Sequence, residues 1–286
     1  MLRMEIRKIG VIGAGQMGAG IAQIAAYNDY TVVLKDIKKE FCDGAIAKIK
    51  QGLDKRVQQG KETQHNVDKT IANIHATTDI RDVSDCDMVI EAVPEILELK
   101  RATFEELGRV CRGDAILCTN TSSMSVTAIM SECANQQRCA GMHFFFPVLA
   151  MRLVEIVRGE KTSDGTVEAI KSVATGIGKT PVMCRTDTPG FIVNRCLFAF
   201  MLEAIHCYED GVASIEDIDT AIKLGLNHPL GPFEMMDMSG IDTFPHVCEV
   251  LRALPVTDWS TPESVTKLLD EGRLGRKSGH GWHDYE

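Results

Sequence analysis

No stretch of this 286-residue chain offers the roughly 20 consecutive apolar residues that a membrane-crossing helix needs, so no membrane span is expected. Basic residues are not in excess either. Lys and Arg number 31 against 40 Asp and Glu, and the net charge of −9 argues against general nucleic-acid binding while leaving room for a local basic patch. The ten cysteines form no CxxC pair and keep no regular spacing, which removes the usual metal and disulfide frameworks. They read as reduced, mostly small buried hydrophobes of a cytoplasmic protein, with no metal site. The opening MLRMEIRKIGVIGAG enters a strand-like run within a few residues and leaves no room for a signal or transit peptide. What remains is a chain long enough for two domains with proper cores.

The first informative stretch is IRKIGVIGAGQMGAGIAQIAA. An apolar strand, Ile6 to Ile12, runs into Gly13-x-Gly15-x-x-Gly18, and a small-residue helix follows from Gln16 to about Ala26. A second strand, YTVVLKD, ends at Asp36, 18 residues past the third glycine. Glycine triplets occur by chance in loops, but strand, triplet, helix and acid together make the dinucleotide fingerprint. Gly13 makes the tight turn, Gly15 lets backbone approach a pyrophosphate, and Gly18 lets helix pack closely on strand. The N–H groups of Gln16 and Met17 open a helix whose positive dipole end suits phosphate. Asp36 is placed to accept from ribose hydroxyls and to repel a 2′-phosphate, which favours NAD over NADP; Lys35, Lys38 and Lys39 partly offset that repulsion.

CDMVIEAV, AILCTN and RCAGMHFFF continue the alternation of short apolar strands with helical stretches expected of a doubly wound parallel sheet. Ligands of such sheets bind beyond the carboxyl ends of the strands. EAVPE (Glu91 to Glu95), NTSS (Asn120 to Ser123) and His143 all fall there. Taken alone, His143 reads as a satisfied core histidine and Glu155 as a surface strand residue. After CRTDTPG the pattern turns helical, which sets a domain boundary near Asp187: residues 1–186 for the dinucleotide, residues 187–286 all helical. Helices are expected over about 191–208, 214–224, 232–239, 241–253 and 262–272. The first is apolar on nearly every face, which predicts burial on several sides and a partner surface, with a homodimer as its simplest form.

GAGQMGAGIAQ, DIKKEF, EAVPE…ELK, TNTSSMS, GMHFF, MRLVEIVRG, DTPGFIVNR, NHPLGPFEMMD and GRLGRKSGHGW stand collinear along nearly the whole chain. In them the sequence resembles the 3-hydroxyacyl-CoA dehydrogenases, most closely the short bacterial 3-hydroxybutyryl-CoA dehydrogenases. The resemblance implies an α/β fold, with a Rossmann-type NAD-binding domain followed by a helical domain for substrate binding and dimerisation. It implies hydride exchange between NAD(H) and C3 of a short-chain 3-hydroxyacyl-CoA or 3-oxoacyl-CoA. His143 matches the catalytic histidine, Glu155 the acid that pairs with it, Ser122 a serine near the substrate oxygen, and Asn194 an amide that orients substrate. Asp36, Glu95, Lys100, Ser122 and Lys277 match positions used around NAD. Lys55 matches a basic coenzyme A position, in a helix that also carries Lys48, Lys50, Arg56 and Lys61. A solvated helix face is the alternative for these lysines.

The sequence departs from the family pattern at Phe146, where asparagine is usual, and at Leu149, where proline is usual. Phenylalanine neither donates nor accepts a hydrogen bond. Three arrangements stay open: another amide such as Asn120 takes over the role, activity is reduced, or the protein binds dinucleotide without rapid turnover. The alternatives to a CoA-thioester enzyme are a dehydrogenase of a free hydroxy acid or sugar acid and a poorly catalytic NAD-binding protein.

Overall fold

The computed structural model describes residues 5–254 and 258–285; the first four residues of the expected leaderless start lie outside them. The chain divides into two compact units, Met1–Thr188 and Pro189–Glu286.

The first unit is built on an eight-stranded sheet. Its strands are β1 (Lys8–Ile12), β2 (Thr31–Lys35), β3 (Ile74–Thr77), β4 (Met88–Glu91), β5 (Ile116–Thr119), β6 (Cys139–Phe144), β7 (Leu153–Val157) and β8 (Thr180–Cys184), in the spatial order 3-2-1-4-5-6-7-8. Strands 1 to 6 pair in parallel, whereas β7 runs antiparallel to β6 and parallel to β8. The order reverses between β1 and β4, a switch point of the kind at which ligands of such sheets bind. β1, β4 and β5 are buried along almost their whole length, as strands covered on both faces are.

Helix α1 (Gln16–Tyr27) packs on this sheet through Ile21, Ala22, Ala25 and Ala26, all buried against Ile9, Val11, Val32 and Leu34. Alanine and glycine on that face let the helix axis come close to the strands. Four longer helices, α2 (Lys39–Gln58), α3 (Gln64–Ala72), α4 (Leu97–Val110) and α6 (Asp164–Gly176), and the single turn α5 (Val126–Ile129) complete the unit. β3 and β8 lie outside the strands expected from the sequence.

The second unit holds α7 (Val193–Glu209), α8 (Ile215–Gly225), α9 (Pro232–Ser239), α10 (Thr243–Leu251) and α11 (Glu263–Asp270). Its core gathers Phe198, Met201, Leu202 and Ile205 of α7 with Phe233, Phe244, Trp259 and Trp282. Within this unit α7 buries one stripe rather than several sides, and Leu197, Ala199 and Phe200 are half-buried. The glycine-rich tail folds onto α9 because Asp237, 1% exposed, accepts from the N–H groups of Trp282 (2.8 Å) and His283 (2.9 Å). Trp282 anchors the tail by packing, its ring 4.8 Å from that of Phe233. None of the ten cysteines is in a disulfide, and seven of them are buried.

Candidate functional site

The glycine loop has the shape of a phosphate cradle. Gly13 adopts φ +104°, a conformation that L side chains avoid, and a Cβ there would stand 2.6 Å from the Ala92 carbonyl oxygen. A Cβ on Gly18 would fall 1.8 Å from the Gly13 carbonyl oxygen, so only glycine lets α1 approach β1 this closely. A Cβ on Gly15 would meet nothing within 4 Å. No side chain caps α1 at Gly15 and no acidic residue stands in its first turn, so the helix end is left to an anion. At the end of β2, Asp36 accepts from the N–H groups of Ala14 and Ile37, both at 2.6 Å. An ionised carboxylate has further lone pairs for ribose hydroxyls. These residues fit a dinucleotide with one acid on its adenosine side.

Beyond the ends of β4 and β5 a buried ion network shapes the next wall. Glu91 is 0% and Lys100 1% exposed. Lys100 Nζ donates to Glu91 Oε1 (2.8 Å) and the Val93 carbonyl (3.3 Å), and pairs with Glu95 Oε2 (3.1 Å). All three of its N–H donors therefore have protein acceptors, and its geometry is that of a residue that positions Glu95. Glu95 in turn accepts from the Thr121 hydroxyl (2.5 Å) and the Ser122 N–H (3.0 Å), so it ties down the Thr121–Ser123 turn. Burial pushes the Glu95 carboxyl up, but the Lys100 ammonium and the Thr121 and Ser122 hydrogen bonds outweigh it and hold the group below its ordinary value. Ser122 itself is exposed at the tip of this turn.

His143 is the fifth residue of β6 and Glu155 the third of β7. The antiparallel reversal sets them directly opposite in register, which is how two residues 12 apart in sequence meet. His143 Nδ1 lies 2.8 Å from Glu155 Oε2, with the imidazole 3% and the carboxylate 0% exposed. An ionised Glu155 fixes the tautomer with hydrogen on Nδ1, which makes Nε2 the basic nitrogen. Phe145 stacks at a tilt on the imidazole, ring centroids 4.4 Å apart. Asn120 spends its carbonyl oxygen on the Phe144 N–H (2.9 Å), joining the ends of β5 and β6 beside the histidine.

Of the other expected site residues, Gln16 and Met17 form the first turn of α1. Lys55 is exposed on α2, on a shallow face with Lys50, Asp54 and Gln58. Asn194 and Lys277 lie in the second unit, Asn194 in the first turn of α7 and Lys277 paired with Asp242. Two supporting residues have no role assigned from sequence. Glu91, which falls at the ligand end as part of EAVPE, is an acid at the end of an otherwise apolar strand, a pattern visible in DMVIEAV. Lys179, 6% exposed, donates to the carbonyls of Val148 and Met151, and nothing in IGKTP announces a buried ammonium.

Comparison with known proteins gives the same outline independently. The model for the 3-hydroxyacyl-CoA dehydrogenase NAD binding domain matches residues 8–188, and that for the C-terminal domain of the same family matches residues 190–285. A probable 3-hydroxybutyryl-CoA dehydrogenase of Deinococcus radiodurans is 43% identical over 97% of this chain and 100% of its own length. The human mitochondrial hydroxyacyl-coenzyme A dehydrogenase is 39% identical over 99% of this chain and 93% of its own. Among solved structures, an (S)-3-hydroxybutyryl-CoA dehydrogenase from Ralstonia eutropha superimposes with a TM-score of 0.94 at 36% identity, covering 99% of this chain and 100% of that one.

Proposed function

Because this chain belongs to the 3-hydroxyacyl-CoA dehydrogenase family and is an NAD-dependent oxidoreductase of hydroxyacyl-CoA thioesters, we propose that His143 exchanges the proton on the C3 oxygen while Glu155 orients and charges its ring. The preferred pair is 3-hydroxybutyryl-CoA and acetoacetyl-CoA, in keeping with the relatives' names. The single observation that supports the assignment is the buried 2.8 Å contact between His143 Nδ1 and Glu155 Oε2 at the carboxyl end of the sheet. Bound NAD supplies the hydride acceptor.

In the oxidation direction Nε2 takes the hydroxyl proton, and the imidazolium so formed is stabilised by a carboxylate that water does not screen. In reduction the same nitrogen returns the proton to the oxygen. Ser122, at the tip of a turn held by Glu95, is suited to hydrogen-bond the C3 oxygen, and Asn194 to orient the thioester. Gly13, Gly15, Gly18, Gln16 and Met17 form the pyrophosphate end of the cofactor site, and Asp36 its ribose end. Glu95, Lys100, Asn120 and Lys277 belong to its remaining contacts or their supports. Exposed Lys55, with Lys48, Lys50 and Arg56 on the same helix, offers charge to the phosphates of coenzyme A.

Val212, Leu224, Leu226 and Met238 of the second unit are 71%, 81%, 62% and 54% exposed, more large apolar surface than a free helical unit tends to show, which supports a homodimer. Ten cysteines without a disulfide suit the reducing cytoplasm. Oxidation of NADH by acetoacetyl-CoA, followed by absorbance, tests the reading. Rapid turnover with the thioester and none with free acetoacetate is expected. Equal rates with the thioester and the free acid would favour a free-acid dehydrogenase, and binding without turnover would reject the catalytic assignment.

A further inference from the structure

Residues 145–152, FFPVLAMR, join β6 to β7 and leave Phe146, Leu149 and Met151 60%, 54% and 42% exposed. Three large apolar side chains facing water from one loop are unusual enough to need an occupant. The loop backbone is fixed from beneath. Lys179 binds the carbonyls of Val148 and Met151, and the N–H groups of Ala150 and Met151 both reach the Pro147 carbonyl at 3.0 Å. Val148, 3% exposed, fills the notch left by Gly20 of α1, where a Cβ would stand 2.8 Å from the valine's own Cβ. The exposed side chains are thus presented by a rigid platform seated on the dinucleotide helix, about one turn past its start.

The side of the crevice on which that platform lies follows from the sheet. Asp36 marks the β2 side of β1 as the adenosine side. The other half of a dinucleotide extends across the switch point toward β4, β5 and β6. The loop leaves β6 at Phe144, one residue after His143, at the carboxyl edge on that second side. We infer that Phe146 presents its ring to the nicotinamide of NAD and thereby favours the oxidised cofactor over the reduced one. The oxidised nicotinamide is a pyridinium cation and the reduced ring is neutral, so an aromatic face attracts the first and only packs against the second. The amide expected at this position from the family pattern would make no such distinction. The inference rests on NAD as cofactor and is independent of the acyl group.

The test uses the full-length protein, with cofactor affinities read in the absence of substrate and KM for acetoacetyl-CoA read separately. NADH affinity is read from its own fluorescence, NAD+ affinity by displacement, in the wild type, Phe146→Leu and Phe146→Asn. A cation–π contact at a partly exposed site corresponds to roughly two- to five-fold in affinity. Phe146→Leu should therefore weaken NAD+ by about that factor relative to NADH. Phe146→Asn should weaken both and shift their ratio the same way. Melting temperatures should stay at the wild-type value, because the ring is exposed. An unchanged NAD+ to NADH ratio in both variants would overturn the inference. So would a rise in KM for acetoacetyl-CoA with both cofactor affinities intact, which would give the ring to the acyl chain. A wild type that bound neither cofactor would overturn the NAD premise together with it.

Discussion

Alanine at Gly15 and alanine at Gly18 are expected to part ligand binding from folding. Gly15 sits at φ −67° and ψ −174°, which alanine adopts freely, and its Cβ would meet no atom within 4 Å. At such a site the loss of unfolded-chain freedom stabilises by about 0.4–1 kcal/mol. For a unit of this size, at about 2–4 °C per kcal/mol, the melting temperature should rise by about 1–4 °C. In the proposed cofactor site the added methyl stands where a pyrophosphate would meet the backbone. NADH affinity should fall by about tenfold or more, the scale of one lost hydrogen bond to a charged group. Gly18→Ala behaves oppositely. Its Cβ falls 1.8 Å from the Gly13 carbonyl oxygen, so α1 must back away from β1. Overpacking of that kind costs about 1–3 kcal/mol, which lowers the melting temperature by about 2–12 °C. Differential scanning fluorimetry with and without NAD, beside a fluorescence titration of NADH, reads both effects. Wild-type NADH affinity in Gly15→Ala would refute the placement of the pyrophosphate, and a wild-type melting temperature in Gly18→Ala would refute the packing.

Asp36→Ala should relax the preference for NADH over NADPH and also weaken NADH, because the Ala14 N–H loses its acceptor. Asp36→Asn drops the charge but keeps one oxygen for the Ala14 N–H, at the expense of the Ile37 N–H, so it should change the preference with a smaller loss of NADH affinity; a wild type that prefers NADPH would contradict both. The depressed pKa of Glu95 contributes stability that is present above the unfolded value of 4.5 and is lost as pH falls through the folded value. The melting-temperature gap between wild type and Glu95→Gln should therefore be wide at neutral pH and close below pH 4.5, and a gap that is the same at both would contradict the assignment.

Much of the nucleotide-binding framework was legible because each of its parts has a local signature. The glycine triplet, its flanking strand and helix, and Asp36 all speak through residue type and spacing. The helices of the second unit announced themselves by periodicity and by starts such as Ser214, whose hydroxyl caps α8 at the Asp217 N–H. The short strands were harder. β3 is four residues, IHAT, with a histidine facing out, and β8 begins Thr-Pro and alternates exposed with half-buried residues, so neither gives the apolar run of a central strand. The antiparallel turn of β6 onto β7 leaves no mark in composition, yet it is what brings Glu155 opposite His143. Lys100 reads as one more solvated helix lysine until Glu91 and Glu95 are seen around it, since burial of a charge is decided by partners distant in sequence. The apolar residues of α7 are more than one chain covers, since Leu197, Ala199 and Phe200 stay half-buried, and sequence alone does not say what lies over them.

The proton-transfer role of His143 is tested most directly by single-turnover oxidation of enzyme-bound NADH on mixing with acetoacetyl-CoA, in wild type, Glu155→Gln and His143→Ala. His143→Ala should slow the hydride step by about two orders of magnitude or more while NADH binds as before, and Glu155→Gln should fall between it and the wild type. A hydride step in His143→Ala as fast as in the wild type would mean that some other group handles the proton.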